Sequence, residues 1–323
     1  MKKQFDIREL LSKREMGALV PLLILLVVIA LVNNKFFRVA NLMDVLRTTS
    51  FTFVLAAPLT ALMITGNRDL SVGATTALGG VVCAWGMTKL GWGVVPSILL
   101  GLFSGLVVGI IKSFICVKMA LPTFMVTLGL QYMINGFLLI TTLGNPITGF
   151  PKSFQALGQS RLFGFLFLTI VISVISGLIF HLLLKYSKFG RSIYATGGNR
   201  ETARLAGIDT NKIIITAHLV VSIYAAFVGI LYASRFNSAQ YNAGAGSEMT
   251  IMASIIIGGT SFGGGVGTVL GSFIGCLLLA CINNGLVLMH VSTFYQNLVF
   301  GGILIISLAL DKIRNDRTSG GLK

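Results

Sequence analysis

The sequence predicts an all-α polytopic membrane protein with about ten transmembrane helices. Three observations carry that expectation. The chain has 323 residues, 54% hydrophobic and 11% charged, whereas a soluble domain carries about 25% charged residues. Its mean hydropathy is +0.87. Its apolar residues gather in runs close to the roughly 20 helical residues that cross about 30 Å of hydrocarbon. The net charge of +15 would also suit a nucleic acid. The cations, however, stand at the ends of apolar runs and not on one face, as orientation in a lipid bilayer requires, so no nucleic-acid partner is expected.

Taken in order, residues 1–15 form a basic amphiphilic leader expected on the cytoplasmic surface, with no small-residue cleavage site after it. The first span covers 16–32, and the polar stretch 33–49 is expected outside. The second covers 50–65, where Pro58 removes a backbone hydrogen bond and should kink the helix. Residues 66–73 interrupt the apolar character, and a third span follows over 72–90. The fourth covers 94–117. The fifth begins at Pro122, a favoured first-turn position, and ends near Leu143. An external loop, 144–163, leads to the sixth span, 164–184. After the basic interval 185–212 come the seventh span, 213–234, and an external segment, 235–248. The eighth covers 249–260. A glycine knot, 263–265, separates it from the ninth, 268–288, and the tenth covers 293–310 before a basic tail. The second and eighth spans are short and are expected to be broken or re-entrant.

Ten spans put both termini on one side. The leader, Arg68, Lys112 and Lys118, the central interval and the tail then share a side, and they hold most of the 25 Lys and Arg. That side is cytoplasmic by the positive-inside bias. The whole chain, 1–323, reads as one transmembrane domain with a cytoplasmic loop at 185–212. This loop carries Lys185, Lys188, Arg191, Arg200, Arg204 and Lys212 against Glu201 and Asp209. A short helix is expected inside it: Asn199 or Gly198 caps it, Glu201 meets the positive end of its dipole, and Gly207 stops it. Such an element suits docking; a charged connector is the alternative.

Two passages resemble each other. Gly101, Gly105 and Gly109 repeat every fourth residue, as do Gly267, Gly271 and Gly275. The stretch Val117–Lys-Met119-Ala-Leu-Pro-Thr123-Phe124 aligns with Val287-Leu-Met289-His-Val-Ser-Thr293-Phe294. The spans involved lie five apart and cross in opposite directions, which is the pattern of an inverted repeat. It would pair the second to fifth spans with the seventh to tenth and leave the first peripheral. The plainer reading of the glycines is close helix packing.

Catalytic signals are missing: there is no GxxxxGK[ST] phosphate loop, and the four cysteines and three histidines are scattered, which argues against a metal site. A membrane-embedded enzyme is therefore not expected. Asp69 and Glu248 each precede a span rich in small residues. A carboxylate there is either functional or a helix cap; the cap is the preferred reading, with Arg68 as surface partner of Asp69. Thr127, Gln131 and Asn135 share one face of the fifth span, and Asn283, Asn284, Gln296 and Asn297 cluster near the ninth and tenth. Uncharged amides and hydroxyls suit a neutral polyhydroxylated solute; interhelical hydrogen bonding is the plainer reading.

Four stretches carry a resemblance: ITGNRDLSVGA (64–74), LPTFMVTLG (121–129), KFGRSIYATGGNRETARLAGI (188–208) and IIIGGTSFGGGVGTVLG (255–271). Together they resemble the permease subunits of bacterial ATP-binding-cassette importers for monosaccharides, of the ribose and galactose type. Asn67 departs from the glycine common in that family. Thr202 departs from the alanine of the Glu-Ala-Ala-xxx-Gly loop found in importers generally, and the Ile-x-Leu-Pro continuation is missing. The resemblance implies a homodimeric permease in the bacterial cytoplasmic membrane. It implies a cytoplasmic ATPase that holds the ATP and magnesium, so that this chain binds no cofactor, and a periplasmic sugar-binding protein. The coupling element is then Arg191, Asn199, Arg200, Glu201, Ala203, Arg204 and Gly207. The candidate path is Asp69, Phe124, Thr127, Gln131, Asn135, Asn283, Asn284, Phe294 and Asn297. An ion-coupled secondary transporter of a neutral solute is the alternative; it requires intramembrane ionisable groups, which the sequence offers sparingly.

Overall fold

The computed structural model describes residues 16–32, 34–292 and part of the stretch 295–312. The leader 1–15, Phe294, Asn297 and most of the basic tail lie outside the described residues. Six described helices are long and apolar enough to cross a membrane, and two shorter apolar helices accompany them.

Helix α1 is Met16–Val32, and α2 is Val39–Ile64, 26 residues long. This corrects two expectations. The second span is neither short nor broken, and most of the stretch read as external loop is its first half. Polar residues there find partners both across the fold and within the helix itself. Arg47 Nη2 donates to the Gly158 carbonyl at 2.8 Å, and Thr49 returns its hydroxyl to the Val45 carbonyl. Pro58 lies inside the continuous helix. Helix α2 is the centre of the molecule: 78% of its apolar window is buried, against 22% for the fifth span. A helix apolar all round belongs in such a place.

Helix α3 is Val72–Thr88. Helix α4 is Val94–Ser113 and ends in a wider π turn at Phe114–Lys118. Helix α5 is Thr123–Thr142, with Pro122 at its N-cap and not in its first turn. The loop after α5 is more ordered than its sequence suggested. Its two-residue strand β1, Ile147–Thr148, pairs antiparallel with β4, Ser238–Ala239. An amphipathic helix α6, Lys152–Gln159, lies against the end of α10. A small hairpin, β2 (Arg161–Leu162) and β3 (Leu166–Phe167), follows. Helix α7 is Leu168–Tyr186. The basic interval folds into two helices, α8 (Lys188–Gly198) and α9 (Arg200–Leu205). Helix α10 is Thr210–Phe236, α11 is Ser247–Ile257, and α12 is Val269–Leu288. The eighth span is thus 11 residues long, too short to cross about 30 Å.

Small residues set the packing. Helix α4 lies on α3 and α10, and α12 lies on α11 and α2. A Cβ on Gly101 would stand 2.7 Å from the Gly79 carbonyl, and one on Gly105 would stand 2.6 Å from the Ala226 methyl. On α12, side chains at Gly271 and Gly275 would run into the carbonyls of Gly258 and Ser254, and one at Gly267 into Thr260. Three buried hydroxyls return to their own helices: Thr60, Thr75 and Thr76 each donate to the carbonyl four residues back. In lipid, a polar group without a partner is costly, and this local bond removes the cost.

Candidate functional site

Three features stand at different levels of this fold: a polar cavity, a buried ion pair, and the folded basic interval 185–212.

The cavity is about 430 Å³ and lies among α2, α3, α10, α11 and α12. That is within the range of about 300–1,000 Å³ typical of small-ligand sites. One wall is aromatic: Phe51 and Tyr232 stack with centroids 4.8 Å apart and planes at 11°. Thr52, Thr76 and Thr250 present hydroxyls, and Asn283 and Gln296 present amides. The Thr76 proton is committed to the Val72 carbonyl, so its free lone pairs face the cavity as acceptors. Asn283 Oδ1 is buried, with no hydrogen-bond partner among the described residues. No charged side chain lines the cavity among the described residues. The arrangement suits a neutral ligand with several hydroxyls and an apolar face. Sequence reasoning had singled out Asn283 and Gln296 but missed Phe51, Thr52, Thr76 and Tyr232, which come from distant helices and share no spacing.

The other path candidates divide. Asn284 exchanges hydrogen bonds with Asn41 at 2.9 Å in both directions, which ties α12 to α2. Thr127 is buried and accepts from the Leu70 backbone N–H at 3.1 Å. Gln131 donates to Glu248 Oε1 at 2.8 Å. Asn135 is half-buried on the same face of α5, and Phe124 is exposed. Of this face, Thr127 and Gln131 thus bond residues of other segments.

Asp69 is fully buried, and its partner is not Arg68. It accepts from the backbone N–H and hydroxyl of Ser71 at 2.9 and 2.6 Å, and it forms an ion pair with Lys112, which is equally buried. His218 Nδ1 lies 4.0 Å away. Lys112, counted from sequence among cytoplasmic cations, is instead the internal counter-charge at the start of α3. Arg68 lies over the Phe262 ring, 3.6 Å from its centroid, and donates to the Phe262 carbonyl. Neither acid is a helix cap: Ser71 and Gly246 hold those positions. Glu248 sits in the first turn of α11, where the dipole favours an anion. These pairings came from residues 43 and 117 positions apart in sequence, beyond the reach of local spacing.

In the basic interval, Ser187 caps α8 by accepting from the Gly190 N–H. Asn199 caps α9 by accepting from the N–H groups of Glu201 and Thr202 at 3.0 Å each. Gly207 ends it at φ +82°, a conformation suited to glycine. Ala203 is buried beneath α9, while Leu205 is 86% exposed. Arg191 is exposed and donates to the Tyr186 carbonyl. Arg200 and Arg204 turn toward α10, where both bond Thr210 and Asn211. The Arg200 pKa is lowered, by burial first and by neighbouring Arg204 second. Beneath α8, Gly197 packs so closely on the Ile64 carbonyl that no side chain fits. That carbonyl also accepts from Gly265 N–H at 2.8 Å, and the Tyr194 hydroxyl donates to the Gly267 carbonyl. The interval therefore touches the end of α2 and the approach to α12.

Comparison with known proteins places these features in context. The profile of the family described as branched-chain amino acid transport system / permease component matches residues 41–308. The Ribose import permease protein RbsC of Bacillus subtilis (strain 168) is 34% identical over 301 residues, 93% of each chain. That of Escherichia coli (strain K12) is 32% identical over 306 residues, 92% of this chain and 93% of its own. The Galactose/methyl galactoside import permease protein MglC of Haemophilus influenzae is 29% identical over 310 residues, 91% of this chain and 92% of its own. No solved structure matches the chain.

Proposed function

The chain belongs to the permease-component family of branched-chain amino acid transport systems, and from that premise we propose that it is the membrane permease of an ATP-driven monosaccharide importer. The relatives are named for ribose and galactosides, whereas the family description names amino acids. The cavity decides for us between these. A zwitterion needs counter-charges in a buried site, and the cavity lining offers hydroxyls, amides and an aromatic pair. That uncharged lining is the observation that carries the proposal.

The assembly follows from the same reading. A cytoplasmic ATPase holds ATP and magnesium, and this chain binds no cofactor and catalyses no reaction. A periplasmic binding protein delivers the sugar to a homodimer in the cytoplasmic membrane, with both termini inside. We assign ten spans in inverted halves. Support comes from the exchange of partners, with α4 on α10 and α12 on α2, and from the matching glycine rows. The shortened helices α3 and α11 each begin beside a buried acid, at matching positions of the two halves, and short or interrupted helices at matching positions are a feature of repeat-built transporters. The coupling element is α8 and α9. Leu205 and Arg191 face the ATPase, Asn199, Glu201 and Gly207 shape α9, and Ala203 anchors it. Motion there passes to α2 and α12 through Gly197, Tyr194 and the glycine knot.

The test is uptake in proteoliposomes that hold this chain, its co-purified ATPase and its binding protein. Ribose or galactose should be taken up with ATP inside and be indifferent to a protonophore. Uptake of leucine in place of sugar would sink the substrate assignment.

A further inference from the structure

Two recesses beside the cytoplasmic interval run into each other. The first, about 480 Å³, has Asn67, Arg200, Arg204 and Asn211 along its polar wall. The second, about 330 Å³, follows α5 and is lined by Ile115, Met125, Val126, Gly129, Leu130 and Met133. Leu121 and Pro122 belong to both. The first is cationic and the second is wholly apolar, so the continuous surface matches a ligand with a charged head and a hydrocarbon tail.

The charge in the first recess is uncompensated from within. Arg200 Nη2 and Arg204 Nη2 reach the same Asn211 Oδ1, at 2.9 and 3.2 Å. Both Nε groups point at Thr210 Oγ1. Among the described residues no carboxylate pairs with either guanidinium or lines the recess. Asp209 pairs with Lys212 and Asp69 with Lys112, and Glu201, on the same helix as the two arginines, forms no ion pair with either among the described residues. Two like charges side by side repel, and an anion between them relieves that repulsion through charge-assisted hydrogen bonds. A phosphate diester fits this fork geometry, and basic pockets at the cytoplasmic ends of membrane helices favour anionic headgroups.

We propose that recess and groove together bind an anionic phospholipid of the inner leaflet, its phosphate between Arg200 and Arg204 and an acyl chain along α5 past Gly129. The assignment rests on the cytoplasmic placement of α9 argued above. Its readout is lipid retention, which is independent of uptake and of the sugar.

The experiment uses the full chain in nanodiscs of phosphatidylcholine with or without phosphatidylglycerol, released and weighed by native mass spectrometry. Phosphatidylglycerol should be retained about tenfold over phosphatidylcholine, the effect of one charge-assisted contact. Arg200→Gln with Arg204→Gln should abolish the preference. Gly129→Leu should weaken retention through the tail; a Cβ there meets nothing within 4 Å, so the fold survives. Cys116 lines the first recess and is half-buried, while Cys83, Cys276 and Cys281 are buried. Its alkylation by a maleimide should slow with phosphatidylglycerol bound. Equal retention of both lipids would overturn the proposal. So would equal protection of Cys116 by glycerol 3-phosphate, which would point to a soluble phosphate ester. Loss of a dimer in Gly129→Leu with lipid retention unchanged would assign the groove to a second copy instead.

Discussion

Asp69 and Lys112 show what a charge inside this protein costs and what offsets it. Both are fully buried, so each stands as the other's compensation. Lys112→Met should destabilise the chain by about 3–5 kcal/mol, because it leaves a carboxylate buried and unpaired. Asp69→Asn with Lys112→Met should recover most of that loss, as replaced buried pairs often do. Thermal unfolding of the purified chain, read by tryptophan fluorescence, distinguishes these outcomes; equal loss in both variants would deny the pairing. In the cavity, Asn283 carries an acceptor awaiting a donor. Asn283→Leu should lower sugar uptake about tenfold or more, the effect of one lost ligand hydrogen bond, with ATP hydrolysis retained. Unchanged uptake would move the solute site elsewhere.

At the scale of elements, glycine placement separates contact faces from open ones. Gly275 packs against the Ser254 carbonyl, and Gly129 faces open space. Gly275→Leu should prevent α12 from seating on α11 and collapse the yield of folded protein, while Gly129→Leu should not; size-exclusion profiles in detergent report the difference. In the basic interval, Gly207 at φ +82° cannot take a side chain without cost. Gly207→Ala should strain the end of α9 by about 1–2 kcal/mol. Leu205→Asp leaves α9 intact but changes its exposed face. We expect Leu205→Asp to reduce ATP-driven uptake while the membrane helices keep their stability. Full uptake in that variant would place the ATPase contact away from α9.

At the scale of the molecule, the chain is organised around α2 and α10, which pack on each other, α2 also on α7 and α12 and α10 also on α3 and α4. An importer of this design moves solute when a motor acts on it from outside, so vesicles with this chain alone should accumulate no sugar. The ion-coupled alternative needed intramembrane ionisable groups. The structure holds some, yet Asp69 is neutralised by Lys112, and Glu248 is held by Gln131. Asp69 lies just before α3 and Glu248 in the first turn of α11, where its second carboxylate oxygen has no partner among the described residues; neither acid lines the cavity.

The sequence by itself determined the class, the majority of the spans, and the capped helix at Asn199. Each of these is written in local composition: apolar length, and a cap two and three residues from the groups it satisfies. It misread the start of α2, because Arg47 and Asn41 in its first half are answered by Gly158 and Asn284, more than a hundred residues away. For the same reason it gave Asp69 the neighbouring Arg68 as a partner, missed Lys112, and could not assemble a cavity from Phe51, Thr76, Tyr232 and Asn283. Burial and pairing across distant helices are properties of packing, and no local pattern encodes which helix will lie against which. Only the tertiary structure decided those questions.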